Sequence, residues 1–108
     1  MFEDIYDSIS FLWSWRWPSA QGQVTSADIE RIRRSRGVER IRLAIAYEFS
    51  VRDDGPYTGE SFWEPLFFPR TRVAAAQHKF HLQRSVSVRY RADDPSVNRL
   101  DRSAWQDL

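Results

Sequence analysis

Apolar side chains occupy every second position along residues 40–52, which is the spacing of one face of a β-strand. The opposite face of this run is mostly polar, so a strand built from it has one surface for a core and one for solvent. Such a strand needs neighbouring strands at its edges and a packed layer on its apolar face. The pattern therefore predicts an antiparallel β domain around this strand, whose apolar positions are Ile41, Leu43, Ile45, Tyr47, Phe49 and Val51.

The composition fits one folded domain of 108 residues with 15% aromatic side chains. The absence of cysteine excludes disulfides, thiolate metal sites and cysteine nucleophiles. A net charge of +1 removes the long-range positive field that a non-specific nucleic-acid binder normally has.

Further elements follow from local patterns. Strands are predicted over residues 22–32, with the alternation lost near Glu30, and over 57–62, 85–90 and 97–100. Turns are predicted over 31–37, over 53–56, where Gly and Pro favour a hairpin, and over 93–96. Residues 63–69 carry two prolines and three aromatics and predict an irregular segment laid over the edge of the core. A helix is predicted over 71–81.

The N-terminal residues show helical spacing of apolar side chains up to Pro18, with three acidic residues in the first turns. Trp13, Trp15 and Trp17 stand at alternate positions at the end of this segment. One interpretation packs them between the helix and the sheet, and this is the one we favour because Trp is usually well buried. The other makes them an anchor at a membrane interface.

These elements predict a mainly β (α+β) fold, a small antiparallel open barrel or sandwich of four to five strands with an N-terminal helix and one further helix near 71–81. The predicted organisation is an amphipathic Trp-rich helix over 1–18, the β domain over 19–100 and a loosely held tail over 101–108. The predicted core is Val24, Leu43, Ile45, Tyr47, Phe49, Val51, Val86, Val88 and Tyr90.

The order and spacing of short motifs resemble a bacterial family of domains of unknown function, number 3592. The motifs are Trp17-Pro18, Gly22-Gln23-Val24, Tyr47-Glu48-Phe49-Ser50-Val51, Tyr57-Thr58-Gly59, Val86-Ser87-Val88-Arg89-Tyr90, and Asp94-Pro95-Ser96 with Leu100. The resemblance covers roughly residues 17–100 and implies the β fold. The chain departs from the family pattern at Gln83-Arg84, where members often have Gly, and at Ala92, where they often have Pro. The resemblance carries no catalytic motif.

The candidate catalytic residues are not accompanied by the further side chains that a catalytic or metal site requires. His78 and His81 lie three residues apart on the predicted helix, but two ligands do not complete a metal site, and no other element is fixed near them. Glu60 and Glu64 lie four residues apart in a segment that is not helical, so this spacing does not bring them together. We predict no catalytic residue, no metal and no cofactor; a hydrolase using His78 or His81 is the weakest hypothesis.

The large number of aromatic and arginine side chains predicts a non-catalytic protein-interaction module, because interface hot spots prefer Trp and Arg. Such a module would act next to a membrane or as an inhibitor or immunity-type protein. Its partner is another protein or a second copy of the chain. The predicted contact residues are Trp15, Phe62, Trp63, Phe67, Phe68, Arg33, Arg34 and Arg36.

The alternative function is nucleic-acid binding by a β-barrel through the arginine-rich segment from Arg31 to Arg42. Arginine guanidinium groups suit phosphate recognition, although the near-zero net charge favours a solvated hairpin edge. Acidic residues stand where a secretory signal needs basic ones, and no apolar run reaches the ~18 residues that span a bilayer. The predicted location is therefore cytoplasmic, or peripheral at a membrane.

Overall fold

The computed structural model describes residues 16–33, 39–81 and 84–105, and they form one five-stranded antiparallel sheet with one α-helix. The strands are β1 (Ser19–Arg33), β2 (Glu39–Val51), β3 (Asp54–Trp63), β4 (Ser85–Arg91) and β5 (Asp94–Leu100). The helix, α1 (Pro69–Lys79), follows β3, and a short 3-10 helix (Arg102–Trp105) follows β5. The order of strands across the sheet is β3-β2-β1-β4-β5.

A β-bulge divides β1 and explains why its sequence pattern breaks. Val24 pairs with Tyr47, but the next paired residue, Ser26, pairs with Ala46, so Thr25 is an extra residue in the ladder. The extra residue shifts the alternation by one, so Val24 faces the core before the bulge and Ala27 faces it afterwards. β1 therefore continues to Arg33 as one strand, beyond Glu30 where the sequence pattern fades and into the predicted turn.

The sheet is so strongly curled that its two edge strands, β3 and β5, come into contact although three strands lie between them. The Tyr47 hydroxyl of β2 donates to Oδ1 of Asn98 on β5 over 2.7 Å. The Asn98 amide donates in turn to the carbonyl oxygen of Thr58 on β3 over 3.2 Å. A Cβ on Gly59 would overlap Asn98 Oδ1, so only glycine leaves room for this arrangement. We call these residues, Tyr47, Thr58, Gly59 and Asn98, the edge contact.

The core fills the concave side of the curled sheet, and α1 lies across it. α1 buries Val73 and Ala76, and Phe80, which directly follows the helix, is buried beside them. All nine predicted core residues belong to this cluster or pack against it. The buried side chains are Val24, Ile41, Leu43, Ile45, Tyr47, Phe49, Val73, Ala76, Phe80, Val86, Val88 and Leu100, with Val51 and Tyr90 partly buried.

The hairpin between β2 and β3 turns earlier than the sequence predicts. Val51 pairs with Asp54, so Arg52 and Asp53 form a two-residue loop, and both have positive φ, at 49° and 67°. Two consecutive positive φ values twist the chain in the sense that flanking antiparallel strands need. Gly55, with φ of 125°, lies in the irregular pairing that follows, so the predicted turn residues mostly belong to β3.

The described part of the predicted tail, residues 101–105, packs against the domain. The Trp105 ring packs on Phe80 with 5.5 Å between the ring centroids. Asp101 accepts a 2.9 Å hydrogen bond from Nε of Arg89 on β4. Residues 101–105 are therefore part of the packed domain, because an aromatic side chain and an ion pair attach them to the core and to the sheet.

The fold class is confirmed as mainly β, with the helix after β3 close to the predicted 71–81. The sheet is a single open layer, so the sandwich alternative is wrong: the edge contact curls one sheet around the core instead of stacking two. The predicted N-terminal helix, with Trp13 and Trp15, falls mainly on residues 1–15, which lie outside the described part of the chain.

Candidate interaction surface

The connection between β3 and α1 presents three consecutive large apolar side chains to solvent. Leu66, Phe67 and Phe68 are 88%, 72% and 79% exposed, and we call them the apolar loop. The proline before them, Pro65, is buried, and the proline after them, Pro69, is the first residue of α1. The loop is thus attached at both ends and projects between them, instead of lying over the core edge as the sequence predicts.

Backbone conformation contributes to this exposure. Phe68 lies just before α1 with φ 51° and ψ 52°, the left-handed region, which is unfavourable for a residue with a Cβ. Its side chain makes no capping hydrogen bond to the helix. An exposed phenylalanine in this conformation gains little from packing, so the strain is not offset by burial of its own ring.

An ion pair fixes the base of the apolar loop to the sheet. Nε and Nη2 of Arg40 on β2 donate to the two carboxylate oxygens of Glu64, the residue that follows β3. This hydrogen bonding raises the pKa of Arg40 above its ordinary value. A fork of two parallel hydrogen bonds specifies orientation as well as distance, so Arg40 orients the chain where it leaves the sheet.

A second arginine on β2 covers Phe62 on the convex face of the sheet. The Arg42 guanidinium carbon lies 3.9 Å from the centroid of the Phe62 ring. The same guanidinium donates to one carboxylate oxygen of Glu30 on β1, over 2.9 Å from Nη2. Phe62 keeps 46% of its surface exposed. The side chains form a layer across three neighbouring strands, with the charge of Arg42 matched by Glu30.

The basic residues near the start of α1 share one carboxylate. Glu39, at the start of β2, accepts from Arg70 over 3.1 Å and lies 3.8 Å from Arg31. On the other flank of the helix, the Arg72 guanidinium lies 5.3 Å from the Trp63 ring centroid. Trp63 itself packs against the core. The apolar loop is therefore bordered by guanidinium groups on both sides of the helix that follows it.

The structure brings together only some of the predicted contact residues. Phe67 and Phe68 lie side by side in the apolar loop, whereas Phe62 and Trp63 point to opposite faces of β3. Trp15, Arg34, Arg36 and the side chain of Arg33 lie outside the described part of the chain. Sequence reasoning missed Leu66, the most exposed large apolar residue described; its position between Pro65 and two phenylalanines, without alternation, was the available signal.

The predicted catalytic and metal-ligating candidates do not converge. His78 and His81 are both exposed, at the end of α1 and just after it. Within residues 16–33, 39–81 and 84–105, no group of three or more histidine and carboxylate side chains is placed to hold a metal ion. In the same described ranges, no helix is both long and apolar enough to cross a bilayer.

The chain matches a known family model. A family model described as "Domain of unknown function (DUF3592)" matches residues 20–105, which is the whole of the described sheet except its first residue, together with α1 and the 3-10 helix. No curated protein and no solved structure matches the chain.

Proposed function

The chain belongs to the DUF3592 family, and from that premise we propose that it is a non-catalytic protein-interaction module whose partner covers the apolar loop. The observation that supports this most strongly is the exposure of Leu66, Phe67 and Phe68. Full burial of one such side chain contributes about 1.5–3 kcal/mol of transfer free energy, so the three together can form the apolar centre of a larger interface, whose other contacts help to offset the lost translational and rotational freedom.

The surroundings of the loop match the composition of protein interfaces. Aromatic side chains and arginine are enriched at contact centres, and Arg70 and Arg72 follow the loop directly on α1. The Arg40–Glu64 pair orients the base of the loop before any partner arrives. Orientation before binding reduces the entropy that the complex must lose.

A site-specific crosslink tests this proposal. Benzoylphenylalanine replaces Phe67 in one variant and the exposed Gln23 of β1 in a matched control, and both are irradiated in the native cells. We expect one discrete protein adduct from position 67 and none from position 23. The same adduct from both positions, or none from position 67 in cells that express the chain at its natural level, contradicts the proposal.

The membrane-adjacent form of the proposal has its own measurement. Purified protein is mixed with vesicles of phosphatidylcholine alone and with vesicles that also contain phosphatidylglycerol, then sedimented. If the partner is a protein in the membrane, lipid alone does not sediment the chain. Sedimentation that disappears when Leu66, Phe67 and Phe68 are replaced by serine would show that the loop binds the bilayer itself.

An inhibitor or immunity-type role predicts that the crosslinked protein is an enzyme or toxin that loses activity in the complex.

Nucleic-acid binding through Arg31 to Arg42 is the alternative. Three of its described arginines face carboxylates: Arg31 faces Glu39, Arg40 faces Glu64 and Arg42 faces Glu30. Pairing of this kind reduces the positive potential that attracts phosphates. The alternative predicts a mobility shift of labelled single or double strands at low salt, with an affinity that decreases steeply as salt increases. No shift at low salt ends it.

A further inference from the structure

Among the described residues, the second edge of β1 has no partner strand over most of its length. β4 pairs with β1 only from Ser19 to Gln23, and one more backbone bond joins Val24 to Arg84. From Ser26 onward, β2 is the only strand in the described chain that pairs with β1. An open strand edge presents backbone N–H and C=O groups that can pair with another extended chain.

One hydrogen bond shows which groups point to that edge. The Gln77 side-chain amide on α1 donates to the carbonyl oxygen of Ala27 over 2.9 Å, so this carbonyl points away from β2. In a strand, alternate residues direct their backbone groups to the same side. Ile29 and Arg31 therefore present their N–H and C=O groups to the open edge as well.

A groove lies at the start of this edge, between β1 and the C-terminal end of α1. It has a volume of about 570 Å³, and Ser26, Ala27, Asp28, Gln77, Phe80 and His81 line it. By helical spacing, Arg70, Ala74 and Gln77 share the flank of α1 on this side, and Ala74 is the small residue among them. Ile29, farther along the strand, is 37% exposed. The groove thus combines backbone hydrogen-bonding groups with an apolar side.

The arginine side chains at the far end of the edge favour a bound segment that carries an acidic residue. Arg31 and Arg70 both approach Glu39, so two guanidinium groups share one carboxylate. The Arg31 side chain is 69% exposed and its nearest approach to Glu39 is 3.8 Å, which leaves it able to pair with a further acid. An acidic residue in an added strand would complete this cluster.

We propose that the edge of β1 beyond Ala27, at Ile29 and Arg31, accepts an extended segment of a partner protein as a sixth strand, with an apolar side chain beside Ile29 and an acidic one near Arg31. The main chain supplies the hydrogen bonds and the groove selects the side chains, as in other cases of strand addition. This surface shares Arg70 with the border of the apolar loop but uses the backbone of β1, so it goes beyond the proposed function and does not depend on it.

The probe is a capped synthetic peptide in which valine alternates with threonine and each end carries glutamate. Fluorescence anisotropy measures its binding, and amide hydrogen exchange shows where it binds. We expect the peptide to slow exchange at Ile29 and Arg31, whose amides point to the open edge, and to leave Asp28 and Glu30, which pair with β2, almost unchanged. A peptide with proline at its centre is the control and should not bind.

Two matched alanines on α1 separate the groove from the rest of the helix. Ala74 and Ala75 are both exposed and lie at similar angles on opposite flanks. We expect Ala74→Trp, on the flank whose Arg70 and Gln77 reach Glu39 and Ala27, to weaken peptide binding about tenfold or more by covering the strand edge, and Ala75→Trp to leave it unchanged. The triple serine variant of the apolar loop should bind the peptide normally, which distinguishes this site from the proposed function.

Four outcomes overturn the proposal. The first is no peptide binding at millimolar concentration, and the second is equal weakening by both tryptophan variants. The third is slow exchange of the Ile29 and Arg31 amides in the isolated protein at every concentration, which means that the chain's own residues cover the edge. The fourth is protection that increases with protein concentration without peptide, which assigns the edge to a second copy of the chain.

Discussion

The Tyr47 hydroxyl donates a 2.7 Å hydrogen bond to Asn98, and this bond connects the second strand to the last one across the core. Burial raises the pKa of Tyr47, while a hydrogen bond with the Ser61 hydroxyl acts in the opposite direction. The neutral phenol is therefore the form that the fold stabilises. Asn98 uses its amide to reach the Thr58 carbonyl on the opposite edge of the sheet, so one pair of side chains holds three strands together.

Replacing Tyr47 by phenylalanine tests this bond. We expect Tyr47→Phe to lower the free energy of unfolding by about 1–3 kcal/mol near neutral pH, because Asn98 Oδ1 loses its donor in a partly buried place. A tyrosine with a raised pKa contributes stability that is present below pH ~10, the pKa in the unfolded chain, and is lost as the pH rises further. The variant should show a smaller loss of stability above pH ~10 in urea unfolding. An unchanged alkaline profile would contradict the assignment.

Gly59→Ala should be more damaging than its size suggests. The new methyl group would lie 2.5 Å from the Tyr47 oxygen and would overlap Asn98, so strands must shift to admit it. Overpacking of this kind costs about 1–3 kcal/mol. Thermal unfolding compares it with Thr58→Ala, whose side chain is exposed and which should stay within about 0.5 kcal/mol of the native chain. Equal stability of the two variants would show that the edge contact is loose.

Asp101 should make the domain sensitive to acid. The hydrogen bond from Arg89 lowers the pKa of Asp101 from 3.8 to about 2. A carboxyl with a lowered pKa stabilises the fold above its unfolded value near 4 and loses that contribution as the pH falls toward 2. We expect Asp101→Asn to cost ~1–2 kcal/mol at pH ~6, after allowance for solvent screening, and almost nothing at pH ~2. Urea unfolding at both pH values measures this. The control variant is Asp93→Asn. The pKa of Asp93 is also lowered, but Asp93 is exposed, so solvent screens its ion pair with Arg91.

Phe68→Gly should stabilise the fold and weaken partner binding. The left-handed conformation costs a residue with a Cβ about 1–2 kcal/mol, and the extra freedom of glycine in the unfolded chain offsets about half of that gain. The net gain should be about 0.5–1 kcal/mol in chemical unfolding. Phe67→Gly is the matched control, because Phe67 does not have positive φ and should gain nothing. If both variants lose stability, the Phe68 ring has a packing role that its 79% exposure does not indicate.

The sequence predicted β2 and its buried face correctly because every second residue from Ile41 to Val51 is apolar. It did not predict the full length of β1, because the extra residue at Thr25 shifts the core-facing positions from even residue numbers to odd ones. The buried side of α1 was predicted correctly, because Val73, Ala76 and Phe80 recur at helical spacing in the sequence and all three are buried in the structure.

The candidate surface was predicted less completely than the fold. Phe67 and Phe68 could be named from the density of aromatics, but their exposure depends on how Pro65 is buried and on the conformation of Phe68. The Arg40–Glu64 pair joins residues of different strands, and the Arg42–Glu30 pair does the same. Such pairs need the register of the sheet, which local patterns do not contain. The same limit applies to the open edge of β1.

The position of β1 between two hairpins has a consequence for how the chain folds. Its contact with β2 needs only the neighbouring segment, whereas its contact with β4 brings Ser19 beside Arg89. Closing so long a loop is slow, so we expect β1, β2 and β3 to assemble first and the β4–β5 hairpin to join late. Contacts made after the transition state govern unfolding rates. Changes at Asn98 should therefore accelerate unfolding in stopped-flow measurements and leave the refolding rate almost as it is.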